Sequence, residues 1–264
     1  MQFTLQLPPG EHLPQFANVV VAPDGSHIVF ASTDSAGQSA LWLRRFDALN
    51  STRLPGTEGA MYPFWSPDSR QLGFFSDGQL KRVGADGDRV RILCTAELGR
   101  GGAWSRGGTI LFAGSTQGPL LRVSAEGGTP TVATELDTTN GEVSHRWPCF
   151  LPDGEHFLYV TTPASKGMFA LYAGSLRSGR RVYIGPTESG AVYAQGMLVY
   201  MLNLGLEARP FNVRSLRWAG EPVPVDTHHG VGGSLAKPKE SVWQNGTLVH
   251  TSAAPLDSRL VWYD

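Results

Sequence analysis

A repeat of about forty residues constrains the fold of this chain more than any other feature. Each copy has an apolar run, a turn and a second apolar run, as in "VVVAPDGSHIVFAS" from Val19 and "PCFLPDGEHFLYVT" from Pro148. One register residue of each copy recurs at intervals of 44, 38, 47, 41 and 50 residues, at positions Phe30, Phe74, Phe112, Tyr159, Tyr200 and His250. A period of this length with two strands per copy is typical of a β-propeller blade.

The turns between the paired runs favour the same fold. Pro fixes φ for a turn, Asp accepts a hydrogen bond from the following backbone, and Gly adopts positive φ. Asp24, Asp68 and Asp153 occupy equivalent turn positions in three copies. We therefore expect them to form turns spread around a ring, too far apart to act together as a general acid and base.

The sequence predicts one all-β domain over residues 1–264, a six-bladed β-propeller. The predicted blades cover residues 17–55, 60–95, 100–134, 145–185, 189–226 and 238–264. Nothing follows the third run of the last blade, whereas "QFTLQL" at Gln2–Leu7 alternates polar and apolar residues before the first blade. We expect residues 2–7 to join the last blade as its outer strand, which closes the ring and removes an exposed edge.

Composition excludes several classes of protein. The 32 glycines, 18 prolines and 17% charged residues favour short strands and tight turns over long amphipathic helices. A net charge of −1 without any basic run gives no electrostatic reason to expect nucleic acid as a partner. The longest apolar run, "GMLVYMLNLGL", is too short to span a bilayer, and the N-terminus has no signal-peptide pattern. We expect a soluble domain without direct membrane insertion.

No catalytic, metal or cofactor motif is present. The sequence lacks a G-x-S-x-G nucleophile elbow, an HExxH helix, a calcium loop and CxxC spacing. Cys94 and Cys149 favour two free thiols, with one disulfide as the alternative. We predict no catalytic centre, no metal and no cofactor, and we interpret the recurring tryptophans as packing between blades: Trp42, Trp65, Trp104, Trp147 and Trp243.

Aligning the blades gives a candidate binding site. Four residues before each inner-strand register position, where each inner strand should begin, stand Ala17, Met61, Arg100, Arg146, Ser189 and Lys239. Equivalent positions of a propeller converge at one mouth of the central channel, and three of these six residues are basic. The predicted site consists of Arg100, Arg146, His145, Lys239, Tyr62, Glu188 and Glu240. It would bind a small anion or an acidic peptide end, unless Glu188, Glu240 and water neutralise the basic groups.

The repeats resemble a known family. "SPDSRQLGFFSDGQLKRV" is similar to the PD40, WD40-like repeats of TolB-type propellers, over the whole chain. "LPGTEGAMYPFW" from Leu54, "RGGAWSRGGTILFA" from Arg100 and "SHRWPCF" from Ser144 resemble the propeller that follows the kinase domain in large bacterial serine/threonine kinases. This resemblance implies the excised, extracytoplasmic end of a membrane-anchored signalling protein. The chain has no Gly-rich loop, HRD or DFG segment, so no kinase activity is carried onto it.

We therefore expect a non-catalytic binding or sensing module. Two alternatives stay open from the sequence: an interaction scaffold that uses a blade face and leaves the channel empty, and a hydrolase or lyase with an unrecognised site at the channel mouth.

Overall fold

The structure is a computed structural model that describes residues 7–13, 19–48, 50–163, 168–203, 205–226, 240–242, 248–251 and 260–263. These residues form an all-β propeller in which each blade is an antiparallel sheet with its strands in chain order. Helix in the described part is limited to one short 3-10 turn, Thr138–Asn140. First strands of neighbouring blades contact one another, so they are the inner strands around the channel.

The first three blades each contain four strands. Blade 1 consists of β1 to β4, which are Val19–Val21, His27–Thr33, Ser39–Arg45 and Ser51–Arg53. Blade 2 consists of β5 to β8, which are Met61–Trp65, Gln71–Ser76, Gln79–Gly84 and Arg91–Thr95. Blade 3 consists of β9 to β12, which are Gly102–Trp104, Thr109–Phe112, Leu121–Ser124 and Thr131–Val132.

The next two blades differ in their outer strands. Blade 4 consists of β13 to β16, which are Glu142–Phe150, His156–Pro163, Phe169–Ser175 and Arg181–Thr187. Blade 5 begins with β17 to β19, which are Val192–Ala194, Met197–Leu202 and Gly205–Asn212. Its outer strand is split into two pieces that both pair with β19, namely β20 at Arg217–Trp218 and β21 at Val223–Asp226.

The predicted count of six blades is wrong, because the described residues form five blades, four with four strands and one with five. The C-terminal segment forms a three-stranded sheet of β22 to β24, which are Glu240–Val242, Leu248–Thr251 and Leu260–Tyr263. Strand β22 contacts both β1 and β17, so this sheet lies between blades 1 and 5. The predicted closing strand falls almost entirely outside the described residues, which include only Leu7 of Gln2–Leu7; Leu7 packs on the blade 1 core.

The turn aspartates behave as the sequence predicts. Asp24 Oδ1 accepts a hydrogen bond from the Ser26 amide at 2.9 Å. Asp68 Oδ1 accepts from the Arg70 amide at 3.1 Å, and Asp153 Oδ1 from the His156 amide at 2.9 Å. These bonds satisfy backbone donors that the strand ladders leave unpaired, so each carboxylate fixes the turn between the first two strands of its blade.

Apolar packing and a few polar contacts hold neighbouring blades together. One continuous core runs through blades 2 to 5 and includes Phe75, Phe112 and Tyr200, each at most 2% exposed. The Phe64 ring packs so closely on Gly102 of the next blade that a Cβ there would lie 2.3 Å from it. The Arg82 guanidinium donates two hydrogen bonds to Glu126 across the same blade pair.

Candidate functional site

An unusual backbone conformation recurs in blades 2, 3 and 4, either within the inner strand or directly before it. Tyr62, Gly101 and Trp147 have φ of 51°, 90° and 54°, in the left-handed region. Each directly follows one of the aligned residues Met61, Arg100 and Arg146. Bulky residues rarely adopt such φ values, so the surrounding structure must hold Tyr62 and Trp147 in place. Bulges interrupt the pairing of β5 and β13 at these positions.

These three residues pack into one layer across the channel. The Tyr62 and Trp147 rings meet edge to face, with centroids 5.1 Å apart. The Trp147 ring lies against Gly101, where a Cβ would stand 2.5 Å from Trp147 Cε3. The Trp147 amide donates to the Arg100 carbonyl at 3.1 Å. Both rings are buried, so little of the layer faces solvent.

Arg100 and Arg146 lie on one side of this layer, and we call Arg100, Arg146 and Tyr62 the arginine mouth. The Arg100 guanidinium stands over the Tyr62 ring at 5.9 Å and donates to the Gly99 carbonyl at 2.9 Å. Arg146 donates from Nε to Ser144 Oγ at 2.8 Å and from its terminal nitrogen to the Thr116 carbonyl at 2.7 Å. Both arginines are half-buried.

The arginine mouth carries positive charge without a matching carboxylate in the described part of the chain. Among the described residues, the Arg100 and Arg146 side chains donate only to neutral oxygens, and Arg100 Nε is buried without a hydrogen-bond partner there. Burial lowers the pKa of Arg146, the charge of Arg100 lowers it further, and Tyr62 opposes the shift. Two positive charges close together in a partly desolvated site favour the binding of an anion.

The structure places His145 elsewhere, which corrects its assignment to the mouth. Its side chain is fully buried; Nε2 lies 3.1 Å from Glu142 and Nδ1 lies 2.8 Å from Thr134 Oγ1. Neighbouring residues on a strand point to opposite faces. Arg146 therefore reaches the mouth while His145 points between blades 3 and 4.

His145 belongs to a satisfied polar network. The Glu142 carboxylate accepts two bonds of 2.8 Å from Arg181 and one of 2.7 Å from the Asp137 amide. Arg181 also forms an ion pair with Asp137 at 3.2 Å. Burial lowers the pKa of His145, and its hydrogen bond to Glu142 opposes this only in part. The neutral imidazole then donates to Glu142 and accepts from Thr134, so the network is structural and its groups are all engaged.

The structure describes two of the three remaining predicted members of the site. Glu188 is half-buried at the beginning of blade 5, where its amide donates to the Met201 carbonyl at 2.8 Å. Glu240 is the first residue of β22. Lys239 lies outside the described residues. The structure therefore brings together Arg100, Arg146 and Tyr62, and it separates His145 from them.

A cavity that sequence reasoning missed lies on the other side of the aromatic layer. This channel cavity has a volume of about 330 Å³ and is lined by the inner strands and by the turns that follow them. Trp104 was predicted to be core between blades, but it is half-buried and lines the cavity with Phe150 and Tyr193. Trp65 is 8% exposed, and its Nε1 donates to the Val20 carbonyl of blade 1 at 3.1 Å. The recurrence of aromatics at one register position was the available signal.

Other features of the described residues bear on chemistry. Both cysteines are free, and burial raises the pKa of the Cys94 thiol to about 11. Within the described ranges no group of three or more His, Cys, Asp or Glu side chains is arranged to hold a metal ion. Within the same ranges no helix has the length and apolar character needed to cross a membrane.

Comparisons with known proteins give the fold alone. No protein-family model matches the chain, and no curated protein matches it in sequence. Solved structures do match. TolB from Acinetobacter baumannii has a TM-score of 0.62 at 12% identity, over 79% of this chain and 54% of that one. This chain thus spans about half the length of that TolB chain.

Two further structures match over more of the chain. An oligogalacturonate lyase in complex with manganese has a TM-score of 0.59 at 14% identity, over 99% of this chain and 92% of that one. The β-propeller domain of the Trilobed protease from Pyrococcus furiosus has a TM-score of 0.55 at 16% identity, over 92% and 78%. The chain therefore has a TolB-like β-propeller fold, a fold that hosts many unrelated functions.

Proposed function

We propose that this chain is a non-catalytic binding module that holds a small anion or an acidic peptide end at the arginine mouth. The observation that carries the proposal is the pair Arg100 and Arg146, whose side chains bond only to neutral oxygens in the described part of the chain. The buried Nε of Arg100 is an unused donor. A carboxylate or phosphate would supply the missing acceptors and the missing negative charge.

The chemistry of the mouth favours an oxyanion, either a carboxylate or a phosphate. Guanidinium groups bind carboxylate and phosphate through two parallel hydrogen bonds, which a single ammonium cannot offer. Hydrogen bonds to Ser144 and Thr116 hold Arg146 in place before any ligand arrives. Such preorganisation lowers the entropic cost of binding.

The test is a thermal-shift and calorimetric screen with phosphate, citrate, succinate and short peptides that end in Asp or Glu. A ligand present at about 100 times its Kd adds about 2.7 kcal/mol to the stability of the folded state. Arg100→Gln and Arg146→Gln should each weaken binding at least about tenfold, the scale of one charged hydrogen bond. Arg89→Gln, which removes an exposed arginine in blade 2, is the matched control and should leave binding unchanged.

One outcome would favour the scaffold alternative. If no anion binds and the two arginine variants are as stable as the wild type, the mouth is merely polar. That result would support an interaction scaffold that uses a blade face. Like charges repel, so loss of either arginine should itself raise the stability of a ligand-free mouth slightly.

The lyase alternative has one specific support, the fold likeness to an oligogalacturonate lyase over nearly the whole chain. Oligogalacturonate is a chain of carboxylated sugars, so it belongs to the anionic class that the mouth would accept. Incubation with oligogalacturonate, followed by detection of unsaturated products, tests this alternative. Product formation that Arg100→Gln abolishes would replace the binding module with an enzyme.

The setting of the module is also part of the proposal. The likeness of "SHRWPCFLPDGEHFLYV" and related segments to kinase-associated propellers supports an origin in a larger bacterial signalling protein, with the propeller outside the cytoplasm. The full open reading frame decides this: a kinase domain followed by a membrane-spanning helix upstream would support it, and a frame without either would contradict it.

A further inference from the structure

The channel cavity has an aromatic wall that the proposed function does not use. Trp104, Phe150 and Tyr193 come from blades 3, 4 and 5, and each pairs with a buried residue of the second strand of its blade: Ile110, Phe157 and Leu198. They therefore stand at equivalent positions around the channel. All three are half-buried and line the cavity. Aromatic side chains that remain partly exposed inside a concave site are the usual lining of small-molecule pockets.

One charged residue stands at the edge of this wall. Arg106 is the only Asp, Glu, Lys or Arg among the described residues that line the cavity. It is exposed in the turn after β9, and its side chain has no hydrogen bond or ion pair with the described residues. The prolines Pro23, Pro67 and Pro152 of the neighbouring turns complete the rim. The cavity thus pairs ring surfaces inside with a single free guanidinium at its rim.

We propose that the channel cavity binds a small aromatic carboxylate, with its ring between the aromatic side chains and its carboxylate on Arg106. A volume of about 330 Å³ lies at the lower end of the range for ligand pockets and suits a compound with one or two rings. Offset or edge-to-face stacking supplies affinity for the ring. Arg106 supplies two parallel donors for the carboxylate.

This site shares Tyr62 with the arginine mouth but binds its ligand through different charged residues. The buried layer of Tyr62, Gly101 and Trp147 lines the cavity on one side and contacts Arg100 on the other. A ligand in the cavity would therefore meet aromatic surfaces and Arg106, whereas an anion at the mouth would meet Arg100 and Arg146. Variants of one site should leave ligands of the other unaffected, so the two proposals can fail independently.

Cys149 is a cavity-lining residue whose labelling gives a readout of occupancy; burial raises the pKa of its thiol, so the reaction should be slow. Cys149 lines the channel and is half-buried, whereas Cys94 is buried in the outer strand of blade 2. Labelling the folded wild-type chain with N-ethylmaleimide, and reading the two sites by peptide mass spectrometry, measures access to Cys149 without any substitution. Cys94 is the internal control for unfolding.

The experiment compares 2-naphthoate with its uncharged analogue 2-naphthamide by calorimetry and by Cys149 labelling. Naphthoate should bind about tenfold more tightly than naphthamide, the scale of a charged hydrogen bond at the rim, and should slow labelling of Cys149 but not of Cys94. Arg106→Gln should abolish this preference, whereas Arg70→Gln, at the corresponding turn of blade 2, should retain it. Trp104→Ala should weaken both ligands by about five- to tenfold, the scale of one aromatic contact.

Three results would overturn the proposal. The first is that neither compound binds the wild-type chain at millimolar concentration. The second is that the two compounds bind equally well. The third is that binding leaves Cys149 labelling unchanged, which would place the ligand outside the channel. Because the wild-type comparison and the labelling need no variant, they remain decisive even if the Trp104→Ala chain fails to fold.

Discussion

At the scale of single residues, the candidate site is the place where two half-buried arginines, Arg100 and Arg146, come close together without a carboxylate from the described residues. Arg82 and Arg181 are also partly or fully buried, but each binds a carboxylate, Glu126 and Glu142 respectively. Arg100 and Arg146 bond only to neutral oxygens in the part of the chain that is described. An unpaired buried cation costs folding free energy, and a site that binds an anion recovers part of that cost.

Trp65 should be among the residues that matter most for stability. The ring is 8% exposed, and its Nε1 donates to blade 1, so Trp65→Ala leaves a cavity and breaks a contact between blades. We expect a loss of about 3–5 kcal/mol in the free energy of unfolding, measured by urea denaturation. Trp65→Phe keeps most of the ring, loses the hydrogen bond and should cost about 1–2 kcal/mol. A loss below about 1 kcal/mol for the alanine variant would contradict the packing described here.

Gly101 should tolerate no side chain. Its φ is 90°, and a Cβ would stand 2.5 Å from the Trp147 ring. Gly101→Ala should therefore cost about 2–4 kcal/mol, from backbone strain plus overpacking. Gly108→Ala is the matched control, since its φ of 78° is similar but nothing lies within 4 Å of the added methyl. The control should cost only about 1 kcal/mol; equal losses in denaturant titrations would mean that the aromatic layer is not packed on Gly101.

At the scale of elements, strand β13 carries two functions on its two faces. Arg146 faces the mouth, whereas His145 and Glu142 tie the strand to Arg181 of the outer strand of its own blade. The bulge between Arg146 and Cys149 changes the direction of the Trp147 side chain, which packs on Tyr62 and Gly101 of the neighbouring blades. The network therefore positions the strand that carries Arg146 and Trp147.

This network should make stability depend on pH. Burial lowers the pKa of His145 below its ordinary value of 6.5, so the unfolded chain binds a proton at a pH where the folded chain does not. The free energy of unfolding should fall as the pH drops below 6.5, by at most about 1.4 kcal/mol per pH unit. The pKa of Glu142 is lowered from 4.5, so its contribution is lost only at lower pH.

His145→Gln isolates the effect of the imidazole, since glutamine can donate to Glu142 but does not titrate. Denaturant titrations between pH 6.5 and pH 4.5 should show a shallower decline for the variant than for the wild type. Parallel curves would mean that His145 titrates alike in the folded and unfolded chains, and that its burial in this network is wrong.

At the scale of the whole molecule, the ring depends on contacts between segments far apart in sequence. Strand β22 lies between β1 and β17, so the C-terminal sheet joins the first and fifth blades. That sheet has three described strands, whereas the five blades have four or five. The prediction that residues 2–7 pair with this sheet rests on the alternating "QFTLQL" alone and stays a prediction.

Deletion of residues 1–6 tests this closure and keeps Leu7, which packs on blade 1. If the N-terminal strand closes the ring, the truncated chain should lose more than about 2 °C in Tm by calorimetry, because an edge is exposed and the chain ends are released. Substitution of Glu11 by Gln, in the described N-terminal segment, controls for changes unrelated to closure. A truncated chain that melts within about 2 °C of the wild type would contradict the hypothesis that the N-terminal strand closes the ring.

The sequence by itself determined the all-β propeller class, the turn function of Asp24, Asp68 and Asp153, and the convergence of Arg100 with Arg146. These follow from short-range chemistry and a repeat period, which a single chain displays. Only the tertiary structure decided that the described residues form five blades, that His145 turns away from the mouth and that Trp104 lines a cavity. Those outcomes depend on bulges, on strand faces and on how closely neighbouring blades pack, and no local pattern encodes them.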